Sequence, residues 1–276
     1  MLNQLKPLIQ QQSKRKRGRK TKARPVRVSR KLELDYTRAL LSIVDDMHSE
    51  TVAAIMPLIE QPNIGDSKRI VNDSLFSDFK SAFSRTANTV KDKVSGIASA
   101  LAQTVVSKQG QQSDGQLSAM ILSKTGIDFS GLISDGALQE AVDEAVAANI
   151  ALINSIPQQY LDRVEQAVMA SLQAGTLNAT LADDLNKIEG VTKNRAKLIA
   201  RDQLGKINSR LSQIRQQSLG ITHYFWSTSL DERVRSKHAK WEGDRIAWDS
   251  PTVDGHPGQA IQCRCTAIPD LDFLME

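Results

Sequence analysis

This 276-residue sequence predicts a mainly α protein, with an elongated helical N-terminal region followed by a small α+β C-terminal domain. Three observations carry that expectation. Apolar residues recur at three- and four-residue steps across most of residues 32–220, the period of one helix face. After Gly220 come short runs of β-branched and aromatic residues separated by Pro and Gly, the pattern of strands and loops. The same final segment holds both cysteines (Cys263, Cys265), all three tryptophans (Trp226, Trp241, Trp248) and three of the four histidines (His223, His238, His256). A second compact unit, built differently from the rest, is expected there.

Residues 1–31 are expected to form a disordered basic arm. Positions 14–31 (KRKRGRKTKARPVRVSRK) carry eleven Lys or Arg and no acid. Of the thirty-six bases in the chain, twenty-five then remain against thirty-one acids, so the body is mildly acidic and the net +5 belongs to the arm. Such a run cannot bury itself and suits a polyanion. Each phosphate it neutralises releases counterions, which adds affinity without sequence specificity. Lys14, Arg15, Lys16, Arg17, Arg19, Lys20, Lys22, Arg24 and Arg27 are therefore candidate contacts to double-stranded DNA. A solubilising tail and a nuclear-localisation signal share the same composition. No apolar run approaches the roughly 20 residues of a membrane span. The N-terminus lacks the order of a signal peptide. Two cysteines separated by one residue give no disulfide framework, so a reducing compartment is expected.

Residues 32–190 read as a helical region. Leu40, Val44, Met47, Ile55 and Leu58 mark a first helix over Leu32–Ile59, with Pro57 set to kink or end it and Gln61-Pro62-Asn63 closing it. A second helix is predicted over residues 66–108, its stripe formed by Phe76, Phe79, Phe83, Val90, Val94, Ile97, Leu101 and Val105. Residues 109–116 (QGQQSDGQ) read as a polar turn, and Leu117–Lys124 as a short helix before a Gly-rich loop. Two helices follow, Ala137–Ser155 and Pro157–Ala174, with Pro157 at a first helical position. Thr180 to Asp183 resembles a capping box opening a helix to about Ile188. A long helix over Thr192–Ser218, apolar at Leu198, Leu204, Ile207, Leu211 and Ile214, ends at Gly220. His48 lies on the first helix, far in sequence from the other histidines, and reads as an ordinary residue.

The last 55 residues are predicted to hold a strand at Ile221–Thr228, a helix at Asp231–Gly243, a strand at Arg245–Trp248, a loop, and a strand at Gln262–Ile268. A unit that small is marginal on core burial alone and calls for a staple or a partner. Asp231, Arg235 and His238 share a helix face at spacings of four and three, with Asp231 placed to pair Arg235. Cys263 and Cys265 point to one side of a strand. Helix against strand would bring an imidazole and two thiols together, a donor set that suits one Zn²⁺ per chain. His256, Asp231 or water would supply a fourth ligand. The bland alternative is two buried reduced thiols beside a hydrogen-bonded histidine. A metal-dependent nuclease or toxin-like enzyme using the His/Cys cluster is a further alternative. No paired carboxylates, second base or phosphate loop support it, and no catalytic residue is assigned.

RAKLIARDQLGKINSRLSQIRQQSLGI, then Tyr-x-Trp-x-Thr-x-x-Asp-Glu-Arg-Val-Arg-x-x-His, Gly-His-Pro-Gly and Cys-Arg-Cys, resembles the phage Mu F-like minor head proteins, the phage head morphogenesis family. The resemblance covers residues 190–270 and places a head morphogenesis domain at 191–276. It implies a minor capsid protein of a tailed bacteriophage or prophage, a virion protein assembled in the host cytoplasm into the procapsid. Portal, major capsid or scaffolding proteins and DNA are the implied partners, and no enzymatic activity is implied. Arg201-Asp202-Gln203 stands where many members have Arg-Thr-Glu, which removes that glutamate as a ligand or catalytic group. Related modules occur fused to toxin domains. This chain stops soon after the motif, so none is expected.

Overall fold

Four long helices and a small sheet realise the two sequence patterns. The computed structural model describes residues 25–59, 68–126, 135–174 and 181–272, with the isolated positions 7 and 128. In chain order these form α1 (Arg30–Ile59), α2 (Lys68–Thr125), α3 (Asp135–Ala174), α4 (Leu181–Ser218), β1 (His223–Ser227), α5 (Ser236–Lys240), β2 (Arg245–Ala247) and β3 (Thr266–Pro269). The protein is mainly helical, with one three-stranded antiparallel sheet near the C-terminus, in the order β2-β1-β3. No helix among the described residues is long and apolar enough to cross a membrane.

The helices run through several positions where the sequence predicts breaks. Residues 109–116 continue α2 instead of turning, because their polar groups are buried against specific partners. Gln109 Nε2 donates to Asn208 Oδ1 (3.1 Å), and Arg215 reaches the Gly110 carbonyl (3.1 Å) and the Asp114 carboxylate. Pro157 lies inside α3 rather than opening a new helix. The bond its missing N–H forfeits is outweighed by the buried Ile153, Ile156, Tyr160 and Leu161 around it. α4 passes through Gly190, and Thr192 Oγ1 returns a hydrogen bond to the Ile188 carbonyl (2.7 Å). Phe76, Ile97 and Leu198 are exposed and do not belong to the buried stripes, where Ala87, Ala98 and Ala196 serve instead.

The chain divides into two compact units, one of Met1–Glu33, Gln103–Val146 and Arg201–Glu276, the other of Leu34–Ala102 and Ala147–Ala200. In the second, Tyr36, Leu40, Val44 and Met47 of α1 are buried, as are Phe79, Phe83 and Val90 of α2. Two buried phenols tie this core. Tyr36 donates to Asn149 Oδ1 (3.0 Å), and the Tyr160 hydroxyl meets His48 Nδ1 (2.9 Å), which gives His48 a structural role.

The first unit contains the sheet. β1 alternates, placing Tyr224 and Trp226 in the core, and pairs with β2 (Phe225 opposite Arg245) and β3 (Trp226 opposite Ala267). Tyr224, Trp226, Trp248, Cys263, Cys265 and Ala267 form one buried cluster. Gly258, at φ +89°, brings the His-Pro-Gly loop onto α4. A Cβ there would stand 2.9 Å from Ser209 Cβ and 3.2 Å from the Gly205 carbonyl. Ser209 Oγ donates to the Pro257 carbonyl (2.6 Å), fixing the contact.

Of the expected basic arm, Lys14, Arg15, Lys16, Arg17, Arg19, Lys20, Lys22 and Arg24 lie outside the described residues, as do Gln61-Pro62-Asn63, Thr180 and most of the Gly-rich loop. Residues 25–31, assigned to the same arm, are part of the fold. Val26 is buried, its carbonyl accepts from Asn208 Nδ2 (3.2 Å), Arg27 N donates to Gln116 Oε1 (2.7 Å), and α1 begins at Arg30.

Candidate metal centre

α5 is a single turn and a half, and its one buried residue is His238. The imidazole sits between two indoles, stacked on Trp241 (centroids 5.3 Å apart, 28°) and edge-on to Trp226 (5.3 Å, 79°). Packed this way it has one place to point. His238 Nδ1 lies 3.5 Å from Cys263 Sγ and 3.5 Å from Cys265 Sγ. The three donors are buried, converge within 4.8 Å of one another, and could hold a metal ion.

The separations suit zinc. Bonds of about 2.3 Å to sulfur and about 2.05 Å to nitrogen, at a tetrahedral angle, place N and S roughly 3.6 Å apart. An S–H···N hydrogen bond has a similar length, so spacing alone does not separate the two states.

The far side of the ring is what the sequence reading missed. His238 Nε2 donates to Asp254 Oδ2 (2.9 Å), and Asp254 Oδ1 accepts from Lys237 Nζ (2.5 Å). Those two bonds, Lys237 first, hold the Asp254 carboxyl below its usual range. An ionised carboxylate can only accept, so Nε2 carries a proton, which leaves Nδ1 as the ring nitrogen that would bind a metal beside the thiols. This is the carboxylate–histidine arrangement that orients metal-ligating imidazoles.

The two thiols behave as a pair. Cys263 is held well below the ordinary thiol range, chiefly by its hydrogen bond with Cys265, while Cys265 is pushed up by the same bond and by burial. A metal would displace whatever protons the pair holds, since thiolates are the ligands. Trp226 Nε1 is buried with no hydrogen-bond partner among the described residues, and its N–H favours the Cys265 thiolate.

Two expected ligands stand elsewhere. His256 Nδ1 is 3.0 Å from the Tyr224 hydroxyl, its ring against Trp248, and burial lowers its pKa. Asp231 precedes α5 in a turn, so it shares no helix face with His238, and it pairs with Arg264 (2.5 Å) rather than Arg235. Arg235 instead donates to the Ile261 carbonyl (2.7 Å). Cys263 and Cys265 lie in the irregular segment before β3, not within it. Asp202, at the variant position, is buried, and its Oδ1 accepts from Gln262 N (2.8 Å), tying the start of the Cys-Arg-Cys segment to α4. A cavity of about 150 Å³ opens beside the three donors.

No solved structure matches this chain. A protein of Haemophilus influenzae, described as an uncharacterized protein, is 35% identical over 270 residues, covering 94% of this chain. The chain spans 58% of the length of that relative. The family model for Phage Mu protein F like protein matches residues 162–268, a span that takes in His238, Asp254, Cys263 and Cys265, and this part of the chain is a Phage Mu protein F-like domain.

Proposed function

We propose that this chain is a minor head protein of a tailed bacteriophage or prophage, associated with the portal during procapsid assembly and DNA packaging or ejection. The observation that carries the reading is the Mu F-like domain, since that family is one of structural phage head proteins and not a known enzyme family. Portal, major capsid or scaffolding proteins are the proposed partners, and the virion the proposed location. The basic arm ahead of Pro25 is proposed to contact packaged DNA through its phosphates. The parts follow chain order: arm, helical region to residue 190, and head morphogenesis domain.

In this reading the His238–Cys263–Cys265 group is a zinc staple. It joins a loop-rich segment whose strands are only three to five residues long, where hydrophobic burial alone is marginal. A nuclease reading would use the same three donors and would need a general base beside the metal. The cavity they border has no carboxylate in its wall to serve as general base.

Phage lacking the protein should make tail parts but yield defective heads or particles that deliver DNA poorly. His238→Ala separates the two readings. A variant that folds, enters particles at normal copy number and supports no infection would overturn the structural role. Metal analysis of protein purified without chelator should give about one zinc per chain, and Cys263→Ser should lose it.

A further inference from the structure

The cavity beside the three donors has a wall of one charge. Arg201, Arg233, Arg235 and Arg264 line it, and neither Asp nor Glu does. Two of these charges are matched from outside the wall, Arg201 by Glu33 (3.3 Å) and Arg264 by Asp231 (2.5 Å). Among the described residues the Arg235 guanidinium is bonded only to a neutral carbonyl, that of Ile261. The Arg233 guanidinium has no hydrogen bond or ion pair among the described residues. Two cationic groups thus border the cavity with no carboxylate paired to them among the described residues.

A divalent metal on two thiolates and a neutral imidazole carries no net charge, so it would not deepen this excess, and it would lack one ligand. The donors border the cavity, and no fourth His, Cys, Asp or Glu joins them among the described residues. None of the described side chains fills that position, and what enters is favoured as an anion. A water occupies about 30 Å³, so the space holds roughly five waters' worth. That admits one tetrahedral oxyanion group, with the remainder of any larger molecule staying outside the cavity.

We propose that this cavity binds a phosphate-type oxyanion, gripped by Arg233 and Arg235 beside the metal-ligating group. Planar guanidinium forks match two oxygens of such a group at once. The proposal deepens the metal reading above and rests on it for the unfilled coordination position, while the arginine grip stands independently.

The test uses the full chain loaded with Co²⁺, whose absorption bands report thiolate coordination. Inorganic phosphate, added at constant ionic strength against a chloride control, is expected to shift those bands saturably. Arg233→Gln, which removes no hydrogen bond or ion pair of the guanidinium among the described residues, should weaken phosphate binding about tenfold or more, with Arg233→Lys in between. A 5′-phosphorylated oligonucleotide and its unphosphorylated twin locate the source. Competition by the first alone assigns the site to nucleic-acid ends, by both to the backbone, and by neither to free phosphate. Cobalt bands that form but do not respond to phosphate, or an Arg233→Gln protein with unchanged affinity, overturn the proposal and leave the metal reading intact. If no cobalt bands form, the metal reading falls. Equilibrium dialysis of phosphate against the same protein then decides, and absence of saturable binding overturns the arginine site as well.

Discussion

Asp254 decides which nitrogen of His238 meets the thiols. By accepting the Nε2 proton at 2.9 Å it leaves Nδ1 as the lone-pair donor, 3.5 Å from each sulfur. Asp254→Asn should therefore lower zinc affinity by about 10–100-fold while the apo fold persists, read by competition with a chromophoric chelator. Unchanged affinity would reduce Asp254 to a link between Lys237 and His238. His256 answers to a different variable. Burial holds its pKa below the ordinary 6.5, so the unfolded chain binds the proton more readily. Its contribution to stability is present above pH 6.5 and is lost as pH falls through and below that value. His256→Asn should flatten the fall in melting temperature on the acid side, measured with and without chelator so that acid release of metal is counted apart. His238, Cys263 and Cys265 were legible in the sequence because zinc favours their donor types. Asp254 was not, since a loop residue 16 positions from His238 has no periodic relation to it. The available signal was chemical: a ligating imidazole ordinarily gives its other nitrogen to a carboxylate.

At the scale of elements, the His-Pro-Gly loop works as a spacer whose thickness is set by Gly258. Gly258→Ala would combine a left-handed φ with a Cβ 2.9 Å from Ser209 Cβ, and backbone on both sides limits relief. A destabilisation of about 2–4 kcal/mol is expected by chemical denaturation. A cost under about 0.5 kcal/mol would mean that the loop shifts freely on α4. The helices were legible from their apolar period, but their joints were not. QGQQSDGQ has the composition of a turn, and only the partners 99 and 105 residues away, Asn208 and Arg215, make it interior helix. The reverse holds for residues 231–235. Their spacing suggested a helix face, yet Asp231 is drawn to Arg264 and Arg235 to Ile261, so only Ser236–Lys240 remains helical. Side-chain partners distant in sequence decided both cases, and periodicity carries no trace of them.

For the whole molecule, the DNA proposal is testable by a deletion that spares the described residues around Val26. Deleting residues 14–24 removes eight basic side chains and spares the buried Val26. Affinity for duplex DNA should fall sharply, and the log–log salt slope should flatten by about 0.9 for each phosphate that is no longer neutralised. Equal affinity and slope in the deletion would place DNA binding elsewhere or remove it. The bond from Asn208 to the Val26 carbonyl, spanning 182 residues, bears on the order in which the protein is made. At about 5–20 residues per second of synthesis, some 10–40 s separate the emergence of its two ends. The unit that contains it also draws on residues 103–146, so those early segments leave the ribosome long before the chain that completes them exists. The cysteines emerge later still, after every described helix that contributes to their unit. Capture of a metal would then come late in the protein's birth, a seal set on a structure already gathered.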